Sequence, residues 1–232
     1  MNYINKYIDI KKIPKSLFVV LLFFSSTIFS FIPIAIFNID VKNITAAENA
    51  IITLFNDLIV IGILIIMYFK RLKEDFKKSK KNFYEFFESS FKYWFVGLML
   101  MMVSNIFINL VFPNAVSGNE DTVQELIKSQ PYVMLLTAGI IGPIIEELVF
   151  RTSFRDVFKN KYLFIITSGL VFGLLHVVFA ATSPLDYIYA LPYCFLGLSF
   201  AYMVDKTDNN LSSIMMHMIH NTTLVLISIF VR

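Results

Sequence analysis

The sequence predicts an all-α, polytopic integral membrane protein with about seven transmembrane helices. Of its 232 residues, 57% are hydrophobic and 16% are charged, and the mean hydropathy is +0.69. This composition is typical of membrane proteins and excludes a water-soluble domain. A helix that spans a bilayer needs about 20 mostly apolar residues. Windows of that kind cover residues 16–37, 50–69, 93–112, 133–155, 162–182, 185–204 and 211–231.

The distribution of lysine and arginine predicts the topology. These residues concentrate in segments 6–15, 70–92 and 151–161, whereas segments 38–49 and 113–130 contain few of them. Positively charged loops stay on the cytoplasmic side of a membrane. We therefore expect a multi-pass protein of the cell membrane with a cytoplasmic N-terminus and an external C-terminus.

The N-terminal 130 residues consist mainly of apolar spans and connectors. Residues 70–94 alternate basic side chains with Phe and Tyr, which fits either an interfacial helix beside anionic lipid headgroups or a solvated cytoplasmic loop. The basic surface is too small for a nucleic-acid-binding protein, so the lipid bilayer is an expected partner and nucleic acid is not. We expect one integrated domain, with a transmembrane scaffold over 1–130, a basic cytoplasmic loop at 70–92 and a chemically active core over 131–232.

Two adjacent glutamates and an arginine lie at the end of the apolar run IIGPIIEELVFR. Ionisable side chains inside a span are costly and are candidates for function. The four-residue spacing of Glu147 and Arg151 favours an ion pair, while Glu146 points about 100° away around the helix. We expect Glu146 to face water or substrate, with Gly142 and Pro143 loosening the helix beside it. Alternatively, the charges only end the helix at the membrane surface.

A second cluster lies in the segment SGLVFGLLH. Gly169, Phe172, Gly173 and His176 share one helical face through spacings of three, four and seven. Two glycines four residues apart let another helix approach closely, so we expect a neighbouring backbone near the His176 ring. Taken alone, His176 also fits a packed, hydrogen-bonded residue without a chemical role.

The third cluster lies in the last span, in MMHMIHNTT. His217 and Asn221 are four residues apart and project from one face, and His220 lies nearby. An interhelical hydrogen-bonding patch is one interpretation. However, all three histidines of the chain fall inside predicted spans of the C-terminal half, which favours a shared site.

The ordered motifs E-E-x-x-x-R at 146–151, F-x-x-x-H at 172–176 and H-x-x-x-N at 217–221 resemble the CPBP family. This family contains CAAX prenyl proteases and bacteriocin-processing enzymes, also called Abi proteins, which are multi-pass membrane endopeptidases. The resemblance covers about residues 133–227 and makes 131–232 the expected catalytic core.

The resemblance implies that Glu146 and His176 position and deprotonate a water, while His217 and Asn221 donate hydrogen bonds to the oxyanion. Peptide hydrolysis needs both functions. Glu147, Arg151 and Phe172 would support the site without performing the chemistry. The expected substrate is a membrane-associated peptide or protein that enters laterally or from the cytoplasmic leaflet, in peptide maturation, bacteriocin processing or self-immunity.

Two alternatives remain open. Family members are often called metalloproteases, and a zinc ion bound by Glu146, His176 and His217 would satisfy a catalytic site, although the spacing is not that of HExxH proteases and we expect no required cofactor. The other alternative is a non-catalytic membrane regulator or scaffold that binds another membrane protein. The presence of Glu146, His176, His217 and Asn221 favours an enzyme.

Overall fold

The computed structural model describes residues 4–112 and 118–231, so residues 113–117 of the predicted external segment lie outside the described residues. The described residues form helices and no β-strand. Six helices are long and apolar enough to cross a membrane, or up to seven spans if a bent pair is counted as one. The prediction of an all-α, polytopic membrane protein is therefore confirmed.

The helices are labelled in chain order. They are α1 (Ile10–Phe24), α2 (Ser26–Phe37), α3 (Ala46–Lys81), α4 (Phe83–Val111), α5 (Gly118–Ser129), α6 (Pro131–Val157), α7 (Lys161–Val178), α8 (Pro184–Thr207) and α9 (Asn210–Phe230).

The first predicted span is bent. Helices α1 and α2 meet at an angle of 52°. At the bend, the Ser25 hydroxyl donates a hydrogen bond to the Leu21 carbonyl oxygen over 2.7 Å. Serine side chains that bond back to the preceding turn compete with the helical backbone and bend it. The apolar run 16–37 is thus divided between two helices.

Helix α3 extends well beyond the bilayer. It starts at a capping box, in which Thr45 and Glu48 satisfy each other's backbone N–H groups. Its 36 residues measure roughly 54 Å at 1.5 Å per residue, against about 30 Å for the hydrocarbon core. The basic segment 70–92 is therefore helical on both sides of Asn82, and neither the expected loop nor a separate interfacial helix forms. Its Lys and Glu residues are good helix formers.

The projecting end of α3 holds the start of α9. Asp75 is 4% exposed, and its Oδ2 accepts hydrogen bonds from the Asn210 backbone N–H over 3.0 Å and from the Asn210 amide over 2.7 Å. An Asn209 amide hydrogen bonds the Asp75 carbonyl oxygen over 2.9 Å. Because α9 carries His217 and Asn221, this contact helps to fix the position of both side chains along the axis of the helix bundle.

Helices α7 and α8 approach as closely as the glycine spacing predicts. A Cβ on Gly169 would lie 2.7 Å from the Leu198 nitrogen, and a Cβ on Gly173 would lie 2.5 Å from the Cys194 nitrogen. Real Cβ atoms do not come that close to a backbone. The predicted small-residue contact between helices is confirmed.

The two halves of the chain share a hydrophobic core. Val60 and Leu64 of α3 belong to the same buried cluster as Ile145 and Leu148 of α6. Helix α6 is the most enclosed of the candidate spans, with 56% of its apolar window buried. The glutamates that follow Ile145 are therefore held at the centre of the bundle, against the N-terminal helices.

Candidate active site

Helix α6 changes its winding on both sides of the two glutamates. Two π-helical turns flank the α-helical stretch that carries Glu146 and Glu147. Such turns are rare and occur frequently at functional sites. The segments in order are α-helical Pro131–Leu136, π-helical Thr137–Ile141, α-helical Gly142–Glu147, π-helical Leu148–Thr152 and α-helical Ser153–Val157.

The first π turn leaves two carbonyl groups without their α-helical donors. The Gly142 N–H bonds to the Thr137 carbonyl, five residues back, and so does not bond to Ala138. Pro143 has no N–H to offer to Gly139. Inside a bilayer, each such backbone group must find a partner within the protein.

Helix α9 supplies both partners. The Asn221 amide donates to the Ala138 carbonyl oxygen over 3.0 Å, and the Thr222 hydroxyl donates to the Gly139 carbonyl oxygen over 3.0 Å. The expected loosening at Gly142 and Pro143 is therefore a π turn whose free carbonyls are bonded by α9. This contact joins the helix of the two glutamates to the helix of His217.

Glu147 and Arg151 form the ion pair that their spacing predicts. Arg151 Nε lies 3.3 Å from Glu147 Oε2, and both side chains are fully buried. An unpaired charge at such a position would be strongly destabilising. The interpretation that these charges merely end the helix at the surface is therefore wrong.

Arg151 is enclosed by aromatic rings. Its guanidinium lies 4.3 Å from the centre of the Phe172 ring and 5.7 Å from that of Phe200. The Arg151 Nη2 also donates to the Gly197 carbonyl oxygen over 3.4 Å. Cation–π contacts of this kind strengthen when water is excluded. Phe172 thus lies against the ion pair, as its predicted supporting role requires.

His217 lies between the two glutamates. Its Nδ1 is 2.9 Å from Glu147 Oε1, and its Nε2 is 3.7 Å from Glu146 Oε2. The Phe172 and His217 rings make an edge contact at 5.6 Å. A continuous polar chain therefore runs from buried Arg151 through Glu147 and His217 to Glu146.

His176 is held by a different set of contacts. Its Nδ1 lies 2.9 Å from the Phe172 carbonyl oxygen. Because a carbonyl oxygen can only accept, Nδ1 carries the hydrogen, and in the neutral ring Nε2 keeps its lone pair. The ring stacks on Tyr193 of α8 with 4.6 Å between centres. This confirms that α8 approaches the imidazole.

Glu146 and His176 meet on the wall of one cavity. This aromatic cavity has a volume of about 220 Å³, and its apolar walls are formed by Phe23, Phe24, Phe150, Phe172, Leu175 and Phe179. The Glu146 side chain is 23% exposed, and its Oε2 has no hydrogen-bond partner among the described residues. The partly exposed Glu146 carboxylate thus lies in the wall of the space where a ligand would bind.

A second cavity of about 190 Å³ adjoins the first, and both include Asn119 and His176 in their walls. This polar cavity is lined by Asn119, Asp121, Thr182, Asp186 and Tyr189. Both cavities lie at the end of the bundle that carries α5. The predicted topology assigns that end to the outside and so does not agree with the expected entry from the cytoplasmic leaflet; both stay predictions.

The structure brings predicted site residues of α6, α7 and α9 together. Phe172 touches both His176, at 4.5 Å between ring centres, and His217, at 5.6 Å. Glu146, Glu147, Arg151 and the two histidines therefore form one cluster. Asn221 lies one helical turn from His217 and bonds to the α6 backbone, whereas His220 contacts Trp94 outside the cluster.

Sequence reasoning missed two contributors. Asp57 lies in the apolar part of α3 and interacts electrostatically with Glu146; an acid inside the predicted span 50–69 was a signal that could have found it. Tyr193, which stacks on His176 and accepts a hydrogen bond from Asn119 over 3.2 Å, carried no comparable signal. Aromatic residues are common in spans of every kind.

The proposed zinc ligands Glu146, His176 and His217 come from three different helices. Within 4–112 and 118–231, no three His, Cys, Asp or Glu side chains are grouped so that they could hold a metal ion. His217 Nδ1 faces Glu147 and His176 Nδ1 faces a backbone carbonyl, contacts that metal-binding histidines also make. Of the candidate set, Glu146 and His176 line the aromatic cavity, and His217 lies behind Glu146, with its Nε2 3.7 Å from Glu146 Oε2.

Fold and site define a class: a multi-pass α-helical membrane protein with a buried network of glutamate, histidine and arginine. Residues 128–223 match the model of a protein family described as type II CAAX prenyl endopeptidase Rce1-like. The matched segment is less than half of the chain and includes every residue of the three motifs. The predicted resemblance to CAAX-type membrane proteases is therefore confirmed over this segment.

Similar proteins occur in two bacteria. YdiL of Bacillus subtilis, whose name assigns it provisionally to the membrane peptidases, is 27% identical over 116 residues, or 49% of this chain and 44% of YdiL. The UPF0177 protein YvdC of Lactococcus lactis is 26% identical over 53% of this chain and 46% of its own length. UPF0177 protein YxdF of the same species is 30% identical over 44% and 51%. The chain thus spans about half the length of the curated relatives it matches. No solved structure gave a significant match.

Proposed function

We propose that this protein is an intramembrane endopeptidase that hydrolyses a peptide bond in a membrane-associated peptide or protein. The observation that carries the proposal is the shared cavity of Glu146 and His176, on which the Glu146 side chain keeps 23% of its surface exposed. A general base must reach the proton that it takes. The family match over residues 128–223 and the name of the relative YdiL support the same class of reaction.

Glu146 and His176 would hold the attacking water between them. With the hydrogen of His176 on Nδ1, its Nε2 accepts one hydrogen of the water, and Glu146 takes the other proton as the water oxygen attacks the carbonyl carbon. Glu146 then delivers that proton to the amine nitrogen when the C–N bond breaks. The stacked Tyr193 ring keeps His176 from rotating away.

His217 and Asn221 would stabilise the oxyanion. Glu147 bonds to His217 Nδ1, and this contact directs Nε2 toward Glu146 and the reacting bond. When the ring carries both protons, Nε2 donates to the developing negative charge. Asn221 uses one amide hydrogen on Ala138 and keeps a second for the oxyanion. The buried Arg151 balances the charge of Glu147.

A test compares the wild type with Glu146→Gln and His176→Ala in detergent or nanodiscs, using a library of quenched fluorescent peptides with apolar segments. We expect a cleavage rate at least about 10²-fold lower for each variant, with unchanged thermal unfolding. Glu88→Gln is the matched control because Glu88 is exposed on α4. Cleavage by Glu146→Gln at the wild-type rate would overturn the mechanism.

A chelator should leave cleavage unchanged, because the site residues are not grouped as metal ligands. The measurement is the cleavage rate before and after dialysis against 1,10-phenanthroline. A loss that zinc restores would contradict this expectation. If the wild type cleaves no peptide while wild type and Glu146→Gln capture the same membrane partner, the regulator alternative replaces the protease.

We also propose that the protein lies in the cell membrane with its N-terminus in the cytoplasm. The extended end of α3 and the α6–α7 connection carry the basic residues 70–81 and 151–161, and both lie at the end of the bundle opposite α5. Labelling of single cysteines placed at 81 and 125 from outside intact cells tests this topology, with only the second expected to react.

A further inference from the structure

The two adjoining cavities differ in chemistry on either side of the reacting groups. The aromatic cavity contains Glu146 and is otherwise almost entirely apolar, whereas the polar cavity has two carboxylates, Asp121 and Asp186, in its wall. Neither cavity is lined by a lysine or arginine of the described residues. A peptide that crosses the junction would therefore place neighbouring residues in two different environments.

The junction itself is formed by ordered side chains. His176 and Asn119 belong to the walls of both cavities, and Tyr193 connects them, stacking on His176 at 4.6 Å and accepting the Asn119 amide hydrogen over 3.2 Å. Because His176 is also one of the proposed water-holding residues, a bond cleaved at this junction has one flanking residue on each side of it.

The negative charge of the polar cavity is fixed in position. The Asp186 carboxylate accepts backbone hydrogen bonds from Thr182 over 2.6 Å and from Ser183 over 2.9 Å. Asp121 of α5 lines the same cavity and is exposed. Complementary charge in a recess selects an oppositely charged ligand group, so a cationic side chain fits this cavity.

The aromatic cavity has its rim at the edge of the bundle. The rings of Phe24 on α1 and Phe179 after α7 lie 6.5 Å apart and are 45% and 80% exposed. In a bilayer, such apolar exposed rings face lipid rather than water. An apolar substrate segment can therefore reach Glu146 from the hydrocarbon region.

We propose that the preferred substrate is a membrane-anchored peptide whose apolar segment borders directly on a basic residue. Its last large apolar side chain occupies the aromatic cavity and the cation occupies the polar cavity beside Asp121. This inference rests on the proposed function, since it names the substrate class of the same site. It assigns specificity to α5 and to the α7–α8 connection, which the motifs do not include.

Binding is tested separately from cleavage, with the full-length Glu146→Gln protein in nanodiscs. The probes are three dansylated peptides with one leucine–phenylalanine segment followed by lysine, glutamine or glutamate. We expect the lysine peptide to bind about tenfold more tightly than the glutamate peptide at low salt, and the difference to shrink at high salt because exposed charges are screened. Equal affinities for the three peptides would overturn the proposal.

A charge reversal supplies the decisive comparison. Asp121→Lys, added to Glu146→Gln, should reverse the order of the lysine and glutamate peptides, while Glu125→Lys, on the same helix but outside both cavities, should keep it. Asp121 is exposed, so folding of the variant is expected and is checked by thermal unfolding. If the lysine peptide still binds more tightly than the glutamate peptide to the Asp121→Lys variant, the proposal is wrong.

Cleavage by the wild type separates the two hypotheses. If the lysine peptide binds selectively but no peptide is cut, the proposed hydrolysis fails and the selective site stands. If peptides are cut with no preference for a basic neighbour, the hydrolysis stands and the substrate class proposed here fails.

Discussion

Helices α4 and α6 are both apolar enough to cross a membrane, yet they occupy opposite environments. In α4, 17% of the apolar window is buried inside the protein, whereas in α6 the share is 56%. The charged residues of α4, Glu85, Glu88 and Lys92, lie near its start, whereas α6 carries Glu146, Glu147 and Arg151 well inside its length. Hydropathy therefore identifies a span, and the polar residues inside it indicate whether the span faces protein or lipid.

The same contrast applies to the N-terminal and C-terminal halves. Helices α3 and α4 expose most of their apolar surface, while α6 to α9 enclose ion pairs and hydrogen bonds. A substitution that removes a contact should therefore be costly in α6 to α9 and mild in α3 and α4. Four predictions test this comparison, from the largest expected effect to the smallest.

The largest effect is expected from Arg151→Ala. It leaves the Glu147 charge buried without its partner, which costs about 3–5 kcal/mol of the free energy of unfolding. Lys78→Ala on α3 is the comparison, because the Lys78–Asp208 pair is 55% and 78% exposed and contributes about 0–1 kcal/mol. Thermal unfolding followed with a thiol-reactive dye on the single, buried Cys194 measures both.

If Arg151→Ala yields no folded protein, Arg151→Lys is the variant to measure instead. It retains the charge but loses the flat guanidinium between Phe172 and Phe200, and an intermediate loss of stability is expected. Equal unfolding temperatures for the wild type, Arg151→Lys and Lys78→Ala would remove the contrast between the regions.

Two glycine substitutions come next. A Cβ on Gly173 would overlap the Cys194 backbone, whereas a Cβ on Gly62 of α3 has no atom within 4 Å. Gly173→Ala should cost about 1–3 kcal/mol through overpacking, and Gly62→Ala should stabilise by up to about 1 kcal/mol through helix propensity. Fluorescence of the single Trp94 during unfolding measures both. Destabilisation by Gly62→Ala to the same extent would contradict the assignment of that face to lipid.

Thr222→Val tests the contact between α9 and the first π turn. Removing the hydroxyl leaves the Gly139 carbonyl without its donor, at a cost of about 1 kcal/mol. Thr223→Val is the matched control, because the neighbouring Thr223 is exposed. The expected result is a lower unfolding temperature for the first variant only. Identical temperatures for the two would mean that the turn does not depend on α9.

The smallest effect is expected at Asp57, a charged residue in the apolar part of α3, which is otherwise the region with few polar contacts. Asp57 has no hydrogen bond to the described residues and interacts with Glu146. Replacing a like charge beside Glu146 by the neutral Asp57→Asn should stabilise the protein by about 1 kcal/mol, while Glu88→Gln should change nothing. A lower unfolding temperature for Asp57→Asn would show that the carboxylate has a partner and that α3 contributes more than a scaffold.

Much of the fold could be predicted from local patterns. Apolar windows predicted the membrane spans, because a helix that crosses lipid must pair its backbone N–H and C=O groups within itself. The Glu147–Arg151 pair and the close approach at Gly169 and Gly173 followed from helical spacing alone. These contacts join residues of one helix or one face, which the sequence displays directly.

The remaining parts of the site depend on contacts between distant segments. The π turns of α6 were not visible in the sequence, because Gly142 and Pro143 fit a break, a kink or a bulge equally well. The position of His217 between the two glutamates depends on the relative heights of α6 and α9, which Asp75 helps to set.

The two π turns also make the helix sensitive to length. Each π turn accommodates one residue more than an α-helical turn, and one residue corresponds to about 100° of rotation. Deleting a single residue from Thr137–Ile141 would restore regular winding and keep Pro131–Leu136 in phase with Glu146, whereas a deletion from the α-helical Gly142–Glu147 would turn the two segments by that angle relative to each other. An insertion or deletion in the α-helical parts of α6 therefore rotates the residues on one side of it relative to the other. The polar network tolerates a change of length only where a π turn takes up the residue that is added or lost.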